Sequence, residues 1–343
     1  MVDQLIQALK RGFDQVGEHR YKNAQIGLGD YLQSAFAMFH LKDPSLHQYR
    51  LNYAEREANL KRIYEIEFLP SDSALREGID GIAPSDIQAC FQIPLQELER
   101  QQLLEEYKVL GNYHSVLFDG TQHYCSSKTP CEHCLTKVHR NRKGEITKTT
   151  YSHQALAAVL AHPAHKEVFP VSCEAIVKQD GAVKNDCELN ASKRLIPLVR
   201  QMLPQDKYNL LGVFDGLYPN GPHIRLLQEH QMRYIIGIRE GYVLLQVERL
   251  QSQDALQVKE WEVEGQKHIA RWCNGLILNG EHQDIRTNYF ECEVWNTKGE
   301  RTYFNTWITD IPIEPGNIEE LVKVGRSRWK VENETFNTLK NQG

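Results

Sequence analysis

No apolar run in this chain of 343 residues approaches the roughly 20 residues that a membrane-spanning helix needs. The longest clean stretch, Ala155 to Ala161, has seven, so no membrane partner is expected. The N-terminus lacks the charged, apolar, then small-residue order of an export signal, and the cytoplasm is the expected location. A surplus of positive charge is missing as well. The net charge is −5, which counts against a polyanion held by a global basic field. Internal repeats, low-complexity stretches and long linkers are absent too, which argues against a solenoid or a disordered array.

What is present fits a globular protein. An apolar fraction of 41% and a charged fraction of 25% are ordinary, and the length allows one large domain plus a smaller one. Residues 1–110 carry 12 Lys/Arg against 17 Asp/Glu and account for the whole charge deficit, while the remainder is balanced. Any contact with DNA therefore depends on local basic clusters. Of the eight cysteines, Cys90, Cys173, Cys187, Cys273 and Cys292 are scattered, the pattern of small buried apolar residues in a reducing compartment. Cys125, Cys131 and Cys134 cluster.

Residues 1–110 read as an all-helical domain. Tyr31, Leu32, Ala35, Phe36 and Phe39 recur at the spacing of one helix face. Pro70, Pro84 and Pro94 mark further helix starts, the last running to about Tyr107. From Asn112 the pattern turns to β. Tyr113 to Phe118 is an apolar run ending at Asp119-Gly120, followed by strands at Leu156–Leu160 and Glu167–Val177. Asn185 to Leu203 reads as a helix, with Asn185 and Glu188 at capping-box spacing. Tyr208 to Phe214 is a strand that again ends in Asp-Gly, at Asp215-Gly216. Strand, strand, strand, helix, strand, with aspartates ending the first and fourth strands, is the layout of a ribonuclease H-like core. The expected fold is α/β: a ribonuclease H-like mixed sheet flanked by helices over residues 111–343, with a Cys/His loop at 121–150 and a β-rich insertion at about 240–310. Ile318 to Gly343 reads as a basic helix centred on Glu332.

Asp119, Asp215 and Glu332 are the candidate catalytic residues. Carboxylates holding two Mg²⁺ ions, or Mn²⁺ in their place, perform in-line displacement at phosphorus, and hard oxygen ligands suit such ions. The competing reading is two Asp-Gly turns and a surface glutamate. Cys131 and Cys134 form a Cys-x2-Cys pair, with His139 and His153 beyond it, and thiolate plus imidazole suits tetrahedral Zn²⁺. Cys125 and His123 are further candidates, and a reduced structural pair is the alternative. Lys137, Arg140, Arg142, Lys143 and Lys148 would make the same segment a metal-pinned basic hairpin reaching a DNA backbone.

Three segments carry a family resemblance. Val116-Leu117-Phe118-Asp119-Gly120-Thr121 and Gly212-Val213-Phe214-Asp215-Gly216-Leu217-Tyr218 resemble the first and second aspartate strands of DDE transposases from bacterial insertion sequences. Arg326-Ser327-Arg328-Trp329-Lys330-Val331-Glu332, with Phe336, Leu339 and Lys340, resembles their third motif, a Tyr, Arg, Glu and Lys at fixed gaps. The tyrosine position is Gly325 here, and Lys340 lies eight residues after Glu332 where seven is usual, which leaves Glu334 open as the third acid. The resemblance implies double-stranded DNA as substrate, at transposon ends and target, strand cleavage and transfer, and a homodimer on DNA. It implies phosphate contacts from Arg328 and Lys340. It also implies an aromatic residue of the β-rich insertion, best matched by Trp295, stacking on a flipped base. Members of this subgroup extend past the Asn-Gln-Gly at which the sequence stops, which implies a C-terminal truncation. Two other readings stand beside it: a stand-alone nuclease on the same core, and a catalytically inactive, zinc-stabilised DNA-binding relic.

Overall fold

The structure, a computed structural model, describes residues 2–20, 24–178 and 186–339, and the backbone of 340–341. The chain divides into two compact units, one formed by Met1–Leu104 with Thr335–Gly343, the other by Glu105–Glu334. The expected border lay at residue 110. It falls earlier because the helix begun near Pro94 stops at Arg100, and Lys108–Val109 pairs with Tyr113 and His114 as an edge of the sheet.

The first unit holds α1 (Val2–Phe13), α2 (Leu28–His40), α3 (Leu46–Leu51), α4 (Tyr53–Tyr64), α5 (Asp72–Asp80), α6 (Pro84–Ile87), α7 (Gln92–Arg100) and, from the end of the chain, α12 (Asn337–Asn341). Ser45 and Ser71 accept hydrogen bonds from Gln48 N–H and Ala74 N–H and so cap α3 and α5, pairing backbone donors that a helix start leaves open. Tyr31, Leu32 and Leu75 are buried in one apolar cluster, and Ala37, Tyr49, Leu60 and Ile66 in another. Phe39, expected on the apolar face, is exposed.

The second unit is one mixed sheet flanked by helices. Its strands are β1 (Lys108–Val109), β2 (Tyr113–Ser126), β3 (Leu135–Arg140), β4 (Ile146–Ala161), β5 (Val168–Ile176), β6 (Leu210–Phe214), β7 (Met232–Gly237), β8 (Gln257–Val263), β9 (Gln266–Ile277), β10 (Arg286–Trp295) and β11 (Arg301–Thr309). The order runs β3-β4-β2-β6-β7-β11-β10-β9-β8, with β5 also on β4. The stretch β5-β4-β2-β6-β7 has three antiparallel-linked strands followed by two parallel ones, the ribonuclease H-like arrangement. α8 (Glu188–Met202) precedes β6, α9 (Gly221–Glu229) links β6 to β7, and α10 (Tyr242–Gln251) follows β7. Val116, Leu117, Phe118, Leu211, Val213 and Ile235 are fully buried. That matches sheet faces covered on both sides, where strands read as continuous apolar runs. The β-rich insertion extends this sheet through β11 on β7.

The long hairpin departs from expectation. β2 does not end at Asp119 but continues to Ser126, paired with the first half of β4, and β3 adds to the other edge of β4. Those extensions are polar and exposed, so no apolar run marks them. Likewise, the final segment is not one α-helix. α11 (Ile318–Arg326) ends at Ser327, and Val331–Phe336 is a wide π-type turn, a form often found at functional sites. Asn185, expected to cap α8, lies outside the described residues. Cys187 holds that position without a side-chain cap bond.

Candidate active site

Strand register brings the two aspartates together. β2 and β6 run parallel from His114 opposite Leu210 to Leu117 opposite Val213, and two further residues on each strand reach Asp119 and Asp215. The intervening Phe118 and Phe214 rings stack at 4.5 Å. Neighbouring strands lie about 4.8 Å apart and residues of matching position share a face, so both carboxylates emerge side by side. The turns are tight. Gly120 N–H donates to Asp119 Oδ1 at 3.1 Å, and Leu217 N–H donates to Asp215 Oδ1 at 2.8 Å. Behind Asp215, a Cβ on Gly237 would stand 3.3 Å from Gly216 N, closer than a side chain comfortably allows.

The third acid arrives from the far end of the sequence. Arg328, just past α11, places Nη1 2.9 Å from Asp119 Oδ2 and donates from Nη2 to Glu332 Oε1 at 3.1 Å. Asp119 is nearly enclosed, with 14% of its side chain exposed, while Glu332 is open at 53%. Burial pushes the Asp119 carboxyl up to about 7. The Arg328 guanidinium works against this, and Glu332 adds to it. Glu334 serves another group: burial holds Lys330 below its ordinary range, and Glu334 is the leading charge opposing that. The missing tyrosine of the third motif has a physical cause. A Cβ on Gly325 would lie 2.9 Å from the buried Trp307 ring, which stacks on Phe290 at 5.0 Å. Trp307 fills the room a side chain at 325 would take.

A fourth carboxylate joins this group. A Cβ on Gly120 would stand 2.3 Å from Glu188 Oε1, so the first residue of α8 packs directly on the Asp119 turn. Burial raises the Glu188 carboxyl, the Asp215 charge adds to the rise, and Arg328 opposes it. In the sequence Glu188 served as a capping residue. Its signal as a site residue was its place at the start of the helix that feeds the second aspartate strand.

All donors of this group are carboxylate oxygens, the set that suits Mg²⁺ or Mn²⁺. Asp119 and Glu332 meet side chain to side chain, but the carboxylates do not gather as three or more within 4.8 Å. Among the described residues, one group of three or more possible ligands lies within 4.8 Å, and it is Cys131, Cys134 and His153. In the acid group, the Arg328 cation bridges Asp119 and Glu332. Around the acids stand exposed Leu217 and Trp329 and exposed Arg239, whose Cγ lies 3.8 Å from the Gly216 Cβ position.

The remaining candidates fall in different places. Cys131 and Cys134 Sγ lie 3.3 Å apart, and His153 Nε2 lies 3.1 and 3.3 Å from them. His139 does not join them. It sits four residues along β3 from Leu135, on the order of 13 Å away, and its Nε2 meets Thr150 Oγ1 at 3.1 Å. Arg140 and Arg142 are exposed at the tip of the β3–β4 hairpin. Trp295 is half-buried, with its indole Nε1 enclosed and unpartnered. It lies three strands from β6 and five residues beyond Phe290, whose partner Trp307 faces Gly237. That is a separation on the order of 20 Å from Asp215, too far to join the acids. The Lys340 side chain lies outside the described residues. No helix among the described residues is long and apolar enough to cross a membrane.

Residues 180–342 match the family model of the transposase DDE domain. The match includes Glu188, Asp215, Arg328 and Glu332, and Asp119 precedes it. No curated protein sequence matches the chain. Among solved structures, the NurA nuclease from Sulfolobus solfataricus is similar at 10% identity and a TM-score of 0.30, over 72% of this chain and 86% of that one. That likeness is too low to bear on function.

Proposed function

We propose that this chain, whose residues 180–342 match the transposase DDE domain, cleaves DNA at the ends of an insertion sequence and joins the freed 3′-hydroxyl to target DNA. Asp119, Asp215 and Glu332 would hold two divalent ions, Mg²⁺ or Mn²⁺, with Glu188 as an additional oxygen donor. The observation that carries this reading is the β2–β6 register, which sets Asp119 beside Asp215, together with the Arg328–Glu332 arm that reaches Asp119.

When bound, the ions lower the pKa of the attacking water or sugar hydroxyl and offset charge on the leaving oxygen. The protein groups have their own tasks. Asp119, whose carboxyl burial raises, would bind the ions as the carboxylate and release its proton to solvent. Arg328 turns from the carboxylates to a phosphate, whose oxygens its planar fork matches in pairs. Arg239 sits where a second phosphate contact is expected, and Leu217 and Trp329 offer apolar faces to sugars and bases. Arg140 and Arg142 neutralise backbone phosphates from the hairpin tip, and Lys340 and Trp295 contribute further DNA contacts. Two transposon ends must be held in one complex, so the DNA-bound form is a homodimer. The helical unit supplies DNA binding or dimerisation, and the protein works in the cytoplasm on the nucleoid.

Asp215→Ala tests the reading on DNA carrying a transposon end with Mg²⁺ or Mn²⁺. Strand cleavage by the variant is expected to fall about a thousandfold or more while end binding persists. Equal cleavage by variant and wild type would remove the assignment. Cleavage without joining by the wild type would point to a nuclease, and binding without cleavage to an inactive relic.

A further inference from the structure

We infer that the hairpin formed by β2, β3 and β4 is built around a structural zinc ion held by Cys131, Cys134, His153 and His123. This inference is independent of the acid site.

Register assembles the ligands. Tyr124 lies directly opposite His153 on β4, whereas Gln122 pairs with Gln154, so His123 is the extra residue of a bulge. A bulge re-aims the side chain it carries, and the His123 ring comes to 5.9 Å from the His153 ring. From the other side, Leu135 pairs with Ser152, which puts Cys134 level with His153. Cys131 follows through a tight turn in which Cys134 N–H donates to Cys131 O at 3.2 Å. Cys131 N–H points at Cys134 Sγ at 3.3 Å, a contact that stabilises a thiolate. Tyr124 Oη donates to Thr129 O at 3.1 Å and ties the loop down. His123, Cys131, Cys134 and His153 line one cleft.

Distances fit the ion. Tetrahedral bonds of about 2.3 Å to sulfur and about 2.0 Å to nitrogen place two sulfurs roughly 3.8 Å apart, sulfur and nitrogen roughly 3.5 Å apart, and two ring centres about 5 Å apart. The thiol and imidazole atoms, at 3.1–3.3 Å, need to open by only a few tenths of an ångström. The cysteines are free, and a sulfur separation of 3.3 Å is far beyond the roughly 2.05 Å of a disulfide. This half of the hairpin is mostly polar and exposed, with Cys134 and Leu135 its buried apolar residues. A metal would supply the fixed geometry that packing supplies elsewhere.

The test is zinc content of the full chain, purified under reducing conditions and reconstituted with Zn²⁺. One zinc per chain is expected in the wild type and equally in Asp119→Ala, which separates this site from the acids. The double variant Cys131→Ser/Cys134→Ser is expected to lose it. Co²⁺ in place of zinc should show thiolate charge-transfer bands and intense tetrahedral bands. His123→Ala should weaken affinity at least about tenfold, the lower end of what losing even an outer partner costs. A wild type that takes up no zinc, or a double variant that retains it, overturns the site. Unchanged affinity in His123→Ala overturns the fourth ligand. Because Co²⁺ spectra read the ligands directly, a variant that folds poorly does not obscure the answer.

Discussion

Two polar clusters stand on one sheet, and they are assembled in opposite ways. The thiol–imidazole cluster gathers residues through a single hairpin, and the ligand atoms of Cys131, Cys134 and His153 already lie within 4.8 Å. The acid group gathers residues from β2, the end of β6, the start of α8 and the turn after α11, and an arginine pairs with two of them. A preformed cluster suits an ion that stays for the life of the fold. Carboxylates that hold an internal cation suit ions that arrive with substrate. The contrast is between three ligand atoms gathered within 4.8 Å and carboxylates linked through an arginine.

The largest expected effect that would sharpen this comparison concerns Arg328. In Arg328→Ala, Mn²⁺ binding to the DNA-free protein should tighten about tenfold, since the competing cation is gone. Cleavage should nevertheless fall about a hundredfold through loss of the phosphate contact. Calorimetric titration and end cleavage read the two directions separately. If both quantities fell together, Arg328 would be a structural prop and not a stand-in cation.

A smaller effect comes from packing. Gly325→Tyr restores the tyrosine of the motif but drives it into Trp307, an overpacking that costs about 1–3 kcal/mol. Melting should drop by several degrees and cleavage should weaken as the arm bearing Arg328 and Glu332 shifts. Zinc content should not change. An unaltered melting temperature would show that the wall formed by Trp307 yields.

The smallest effect is titration. The folded protein holds the Asp119 proton to about 7, against 3.8 for an ordinary aspartate in water. Between those values the native chain therefore binds a proton that the unfolded chain has lost, and stability declines as pH rises from about 4 to about 7. Asp119→Asn removes that decline. At pH 8, without metal, the variant should melt a few degrees above the wild type, because losing the buried charge outweighs losing its pair with Arg328. A wild-type melting profile that rises across the same window would contradict the buried-acid account.

The placement of Asp119 and Asp215 at the ends of neighbouring strands was legible because it follows from short-range rules. The apolar runs before Asp119 and Asp215 had to be buried strands, and their register follows once they pair in parallel. The Arg328-to-Glu332 step also survives, although a turn at Ser327 and a π-type turn replace the expected continuous helix. What was illegible depends on contacts between distant segments. Glu188 is indistinguishable from a capping residue until α8 is laid against the Gly120 turn. His139 has plausible zinc spacing along the chain, yet strand extension carries it away, whereas a bulge falls at His123, a weaker candidate. Trp295 sits at a strand end as expected, but the strand lies too many neighbours from β6. The polar extensions of β2 and β4 have no apolar signature, because their partners are each other.

The central claim is that Asp119, Asp215 and Glu332 share divalent ions, and electron paramagnetic resonance of Mn²⁺ on the complex with transposon-end DNA tests it most directly. Two bound, spin-coupled ions are expected in the wild type and in Glu334→Gln, with coupling lost in Glu332→Gln. Coupled ions persisting in Glu332→Gln, or no bound Mn²⁺ in the wild type, would contradict it.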